Sequence, residues 1–245
     1  MKQITSASNP TIKSLKKLFK SKARGETQTF LAEGLRACTT LMDCGIKLID
    51  CYLTDENKNL AENEFKNCRT TIISPNVAKA LSQATTPSGI VCHFAIPQQP
   101  QISELSEGIV CDNIQDPGNL GTLIRTCAAM DKKSIVLLRG VDAWSNKVVQ
   151  ASAGAIGYVK IFQLSWQELK KNKGKLNLCA LVATDGEKPT KENLCNALFV
   201  IGNEANGIEQ KIINDCDKKI TLCMPGKIES LNAAVAGSII LYLST

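Results

Sequence analysis

The sequence has a single histidine in 245 residues, His93, and it lies within the apolar run from Gly89 to Ile96. One imidazole in such surroundings supports neither a His-rich metal centre nor a Ser-His-Asp relay, so His93 is read as structural. Eleven cysteines are present, but they are scattered singly, their number is odd and no CxxC pair occurs. That pattern suits small buried apolar residues better than a disulfide framework or a metal knuckle. No apolar run approaches the ~20 residues needed to cross a bilayer, and the N-terminus lacks the apolar core of a signal peptide. No metal, no membrane and a reducing cytoplasm are the expectations. A GxGxxG turn followed by an acidic residue is missing from the right context, which argues against a conventional Rossmann nucleotide site. Internal repeats and low-complexity tracts are absent as well. Acidic residues are missing from the first 25 positions, which hold seven Lys or Arg of a chain whose formal charge is +6.

That basic lead-in contains a helical stripe. Ile12, Leu15, Leu18 and Phe19 recur at helical spacing over Thr11 to Phe19, with Lys13, Lys16, Lys17 and Lys20 on the remaining surface. A solvated basic face and a polyanion-facing surface are both open readings. Membrane-surface binding fits less well, because the segment is short and lacks Trp. Strands over Leu48 to Leu53, Thr71 to Ile73 and Gly89 to Ile96, with helices before Gly45 and from Pro75 to about Leu81, predict a compact α/β/α unit. Pro97-Gln98-Gln99-Pro100-Gln101 is the linker candidate, since it offers no core contacts and disfavours regular structure. The expected N-terminal domain is therefore 1–97.

Beyond the linker, strands are predicted at Gly108 to Cys111, Ser134 to Leu138, Val159 to Phe162, Leu176 to Ala183, Ala197 to Ile201 and Ile220 to Met224, with helices between them. Two strands end in glycine-bearing turns, Gly202-Asn203-Glu204 with Gly207, and Pro225-Gly226. In a parallel sheet, ligands collect where carboxyl ends of strands meet loops, so both turns should share one rim. Ser230-Leu231-Asn232 precedes the apolar stretch Ala233 to Leu243, expected to be a buried helix with Ser230 as its cap. In the helix beginning near Asn119, Leu120, Leu123, Ile124 and Cys127 share one face, while Gly118, Thr122 and Arg125 share the opposite one. Arg125 then either joins a surface salt bridge or meets a phosphate or ribose. Ser145, Lys147 and Ser152 either line an RNA-facing side or serve as loop and cap residues.

Three blocks, Asp116-Pro117-Gly118-Asn119-Leu120-Gly121-Thr122-Leu123-Ile124-Arg125, then Gly202-Asn203-Glu204 with Gly207, then Leu222 to Met224 followed by Ser230-Leu231-Asn232, resemble the SpoU/TrmH branch of the SPOUT superfamily. Their order and spacing agree with that family of RNA 2'-O-ribose methyltransferases. Phe30 to Arg36 and Thr86 to Ile90 resemble the start and end of its RNA substrate-binding domain. The resemblance implies an α/β protein with a C-terminal trefoil-knotted methyltransferase domain on a parallel sheet, 104–245, preceded by the smaller RNA-binding domain. It implies S-adenosyl-L-methionine as cofactor, held by Gly202, Leu222 and Leu231 with Asn203 and Met224 alongside. Asn119, Arg125, Glu204, Ser230 and Asn232 match the polar positions around the acceptor ribose. A guanidinium is a poor general base, so Arg125 is preferred as phosphate anchor and charge stabiliser. The implied activity is methyl transfer to a ribose 2'-hydroxyl of structured RNA, ribosomal before transfer RNA, by a homodimer. An inactive scaffold that only binds RNA is the competing class. Departures from the family pattern are Leu222-Cys223-Met224 in place of Ile-Pro-Met, Ala205 in place of a common glycine, and Asp131 in place of another.

Overall fold

Two apolar sheets organise the chain, one in each of two units: residues 1–98 with 142–157, and residues 99–141 with 158–245. The structure, a computed structural model, describes residues 2–66, 68–203, 205–226 and 230–245.

The first unit runs through β1 (Lys2–Ile4), α1 (Pro10–Lys17), α2 (Ser21–Thr27), β2 (Thr29–Glu33), α3 (Leu35–Asp43), β3 (Leu48–Leu53), α4 (Leu60–Asn63), β4 (Arg69–Ile73), α5 (Pro75–Ala80) and β5 (Ile90–Ala95). Its sheet has the order β1-β4-β3-β5-β2, with β5 antiparallel to both neighbours and the other pairs parallel. Helix α1 starts where the Asn9 side chain accepts from the Thr11 amide and Pro10 takes the first helical position, which needs no N–H donor. Its stripe of Ile12, Leu15 and Leu18 joins Leu31, Tyr52 and Val91 in one buried cluster, leaving Lys13, Lys16, Lys17 and Lys20 exposed. Arg24, counted with the basic lead-in, is only 3 % exposed. Its guanidinium donates to the Asp142 carboxylate at 2.6 and 2.9 Å and to the Leu18 carbonyl at 2.6 Å. A buried arginine with these partners is an internal brace, not a surface for polyanions.

The second unit has β6 (Gly108–Ile114), α6 (Pro117–Ala129) and β7 (Ser134–Gly140). Residues 142–157, next in sequence, belong to the first unit. They hold α7 (Asn146–Ala151), and the Trp144 ring lies 5.0 Å from that of Phe30. Ser145 caps α7 through the Val148 amide, and fully buried Ser152 donates to the Val149 carbonyl, so both have structural tasks, while Lys147 stays exposed. The second unit continues with β8 (Lys160–Gln163), α8 (Trp166–Asn172), β9 (Asn177–Leu181), α9 (Lys191–Leu194), β10 (Ala197–Ile201), α10 (Gln210–Asp215), β11 (Lys218–Ile220) and α11 (Ala233–Leu243).

Its six strands are all parallel, in the order β11-β9-β10-β6-β7-β8. A parallel strand covered on both faces must be apolar throughout, and all five residues of β10 are buried. Val110, Val136, Leu178 and Val200 pack with Trp166 and Leu169 of α8 and Ile212 of α10. Elsewhere Ile109 of β6, Ile201 of β10 and Leu123 of α6 crowd Gly237 of α11, so a larger residue there would force the ends of the Ile201 and Leu123 side chains to shift. Succession reverses direction across β6 and β10, and such a reversal leaves a crevice at the carboxyl ends of the strands.

Three expectations change. The predicted strand Ile220 to Met224 is displaced: β11 stops at Ile220, and residues 221–226 lie outside the sheet. β11 is an edge strand, where Lys218 and Lys219 are tolerated, and this frees Leu222 and Met224 to line a cleft. Strand β6 extends three residues past Cys111, because the carboxylate of Asp112 has partners that permit burial. Helix α11 is buried on one face only: Ala234, Gly237, Ile240 and Leu241 are inside, whereas Val235, Ile239, Tyr242 and Leu243 are exposed. Among the described residues no helix is long and apolar enough to cross a membrane.

Candidate active site

Polar chemistry gathers where β6, β7 and β10 end. Pairing of β6 with β7 slips on both sides of Asp112, and Asn113 takes a left-handed φ of 62°. This bulge turns the Asp112 carboxylate, 1 % exposed, toward the Arg139 guanidinium at 2.9 Å and the Glu209 amide at 3.2 Å. Arg139 also donates to the Glu209 carboxylate at 2.8 Å. Its pKa is held above the ordinary arginine value by Asp112 first and Glu209 second.

Gly202, directly after β10, has no room for a Cβ, which would strike the backbone of Gly207 and Ile208. Asn203 and Gly207 exchange main-chain hydrogen bonds of 3.0 and 2.8 Å, closing a tight loop in which Gly207 has φ 67°. The Asn203 side chain ties that loop to β6. Its oxygen accepts from the Ala205 amide at 2.9 Å and the Asn206 amide at 3.3 Å, while its nitrogen donates to the Asn113 carbonyl at 3.0 Å. The expected site residue Glu204 lies outside the described residues.

Helix α6 is capped by Asp116, whose carboxylate accepts from the Asn119 amide at 2.8 Å, with Pro117 at its first position. At the start of α11 the cap is Asn232, accepting from the Ala234 and Val235 amides at 2.9 and 3.3 Å. This corrects the expectation for Ser230, which is exposed two positions earlier. The second polar atom of Asn232 donates to the Asn119 side-chain oxygen at 3.1 Å, and Thr126 and Ser238 share a hydrogen bond of 2.9 Å further along the same two helices. Two of the proposed ribose-side residues, 113 positions apart in sequence, are thus in direct contact. Arg125 is exposed on α6, as its helical phase predicts, and its side chain makes no hydrogen bond or ion pair with another described residue.

Leu222, Met224 and Leu231 come together with Cys223, Ile239 and Leu243 around a cleft of about 420 Å³, with Lys188 at its wall. Gly202 and Asn203 do not line this cleft; they shape the neighbouring loop after β10 in the chain. Main-chain groups of Leu222, Cys223 and Met224 have no hydrogen-bond partner among the described residues. An apolar cleft walled by Leu222, Met224 and Leu231, with main-chain groups beside it, suits a flat heteroaromatic base with polar edges, so an adenosyl group fits the residues present. Among the described residues, no three His, Cys, Asp or Glu side chains converge as metal ligands.

The sequence reading missed Asp112, Arg139 and Glu209 altogether. Their contacts span 27, 70 and 97 positions, and no local pattern marks such a set.

A six-stranded parallel sheet whose carboxyl ends carry a glycine loop, joined to a capped C-terminal helix packed on α6, is a fold shared with solved RNA methyltransferases. The solved AdoMet-bound rRNA methyltransferase of Sinorhizobium meliloti superposes with a TM-score of 0.86 at 22 % identity, covering 99 % of this chain and 97 % of that one. An RNA 2'-O ribose methyltransferase of known structure gives 0.79 at 26 % identity, again covering 99 % and 97 %. In sequence, the 23S rRNA (guanosine(2553)-2'-O)-methyltransferase RlmP of Bacillus subtilis is 30 % identical over 251 residues, covering 99 % of this chain and 98 % of that protein. The model of the SpoU rRNA methylase family matches residues 108–242, and that of the MRM3-like substrate binding domain matches residues 9–92. The chain belongs to the SpoU rRNA methylase family.

Proposed function

We propose that the protein transfers a methyl group from S-adenosyl-L-methionine to the 2'-hydroxyl of a ribose in ribosomal RNA. The observation that carries this reading is the Asn119–Asn232 contact, which joins the Arg125-bearing helix to the helix whose lead-in lines the apolar cleft. S-adenosylmethionine supplies an electrophilic methyl group on a sulfonium. Leu222, Met224 and Leu231 border its apolar parts in the cleft, and the main chain of Gly202, outside the cleft lining, holds a part of the donor that extends beyond it, so loop shape governs binding. Arg125 anchors the phosphate beside the acceptor ribose and stabilises charge that grows on the 2'-oxygen. Asn119 and Asn232, already paired, orient the sugar, with Ser230 at the entrance. Much of the acceleration then comes from alignment of the oxygen with the methyl group.

The region 1–97 serves as the RNA-binding part and 104–245 as the catalytic part, with the terminal segments threaded as a trefoil knot. Two copies pair through the exposed apolar face of α11, where Val235 and Tyr242 offer side chains of a kind depleted from free surfaces. Eleven cysteines without a disulfide and an RNA substrate support a cytoplasmic setting.

The test is incubation with labelled methyl donor and total RNA, followed by mapping of the modified nucleotides. Label is expected on a ribose of ribosomal RNA and is lost with Arg125→Ala, whose exposed position spares the fold. Label on a base or on transfer RNA would refute the assignment, and RNA binding without label would favour an inactive scaffold.

A further inference from the structure

Asp112 is a nearly fully buried carboxylate for which methyl transfer itself has no task. It sits on the β6 bulge, and both ends of the 203–209 loop are fastened to that bulge. At the start of the loop, the Asn203 side chain donates to the Asn113 carbonyl at 3.0 Å. At its end, the Glu209 amide donates to Asp112 at 3.2 Å, while Arg139 spans the two carboxylates at 2.9 and 2.8 Å. Two negative groups held this close would repel without the guanidinium between them, and the fork geometry of arginine satisfies both at once. The same bulge leads within four residues to Asp116, the cap of α6. The start of α6 is fixed by that cap, while the Arg139 bridge fixes the end of the loop.

We propose that Asp112, Arg139 and Glu209 are positioning residues for the methyl donor, a clamp that presets the shape of the Gly202–Glu209 loop for S-adenosylmethionine. The proposal rests on the reading that this loop holds the donor. Recognition through main-chain groups depends on loop shape alone, and chain that is not already held in one shape loses conformational freedom when it binds. The clamp meets that cost during folding, so loosening it weakens donor binding without touching any group that contacts RNA.

Arg139 and Glu209 are about half exposed, so Arg139→Gln and Glu209→Gln are expected to fold. Titration of each intact variant with S-adenosylmethionine, beside binding of ribosomal RNA and a thermal melt, reads the clamp. Either substitution is expected to weaken donor affinity about tenfold, with KM for the donor rising and kcat at saturation retained. The double variant should lose little more than either single one, since both act through the same bridge. Arg139→Lys should recover part of the loss. Asp112→Asn removes the buried charge and serves as a further probe if its melt stays cooperative. Wild-type donor affinity in folded Arg139→Gln and Glu209→Gln would overturn the clamp, as would equal losses in donor and RNA binding. Donor binding by the wild type and its loss in Gly202→Val test the underlying reading separately. If the wild type binds no donor, that reading fails and the clamp fails with it.

Discussion

At the scale of single residues, Asn232 separates two tasks that its side chain performs together. The oxygen caps α11, and the nitrogen reaches Asn119. Asn232→Asp keeps the acceptor and loses the donor, so unfolding by denaturant should be nearly unchanged while methyl transfer falls. Asn232→Ala removes both and should cost about 1 kcal/mol of stability as well. The sequence reading placed the cap at Ser230, and the path of the backbone put it two positions later, at Asn232. His93 behaves as an apolar segment predicts. Neither ring nitrogen has a hydrogen-bond partner among the described residues, and Nδ1 stands 4.0 Å from the Asp50 carboxylate. Burial pushes its pKa below the ordinary 6.5, against the upward pull of Asp50. A histidine whose pKa is lowered by folding stabilises the neutral form of the native state. The unfolded chain takes up the proton first, so this contribution is full above the ordinary value and is lost as pH falls through it. Chemical denaturation between pH 8 and about 5 should show that decline, flattened in His93→Leu.

At the scale of elements, long apolar or periodic segments were legible because burial and period reinforce each other. Strands β3 and β10 match the sequence reading residue for residue, and α6 presents the face that its phase dictates. Edges were less legible. β11 is short and carries Lys218 and Lys219, so the apolar residues after it looked more like a strand than it does. Helix α11 is apolar on every side, and composition alone could not tell its inner face from its outer one. Gly237 marks the inner face, tightly enclosed by Ile201, Leu123 and Ile109. Gly237→Val should destabilise the second unit by about 1–3 kcal/mol through overpacking, visible as a lower melting midpoint. Val235→Ala, on the outer face, should leave that midpoint of the protomer almost unchanged.

At the scale of the whole molecule, exposed Tyr242 gives a test of self-association. Tyr242→Glu should shift sedimentation toward the monomer if the α11 face pairs two copies, and identical sedimentation of both proteins would exclude that face. Residues 142–157 show what sequence order hides. They fall between strands of the second sheet, yet Asp142 binds Arg24, Trp144 meets Phe30 and Gly154 approaches Ala37, all within the first unit. The amino-acid sequence by itself determined the α/β class, the apolar strands, the phase of α6 and the family blocks. Each of these is written in neighbouring residues or in fixed spacing. Tertiary structure alone decided that Asn119 meets Asn232, that Asp112 shares Arg139 with Glu209, and that Leu222 and Met224 leave the sheet to line a cleft. Those pairings join segments distant along the chain, and their strength depends on burial and angle, which no local pattern encodes.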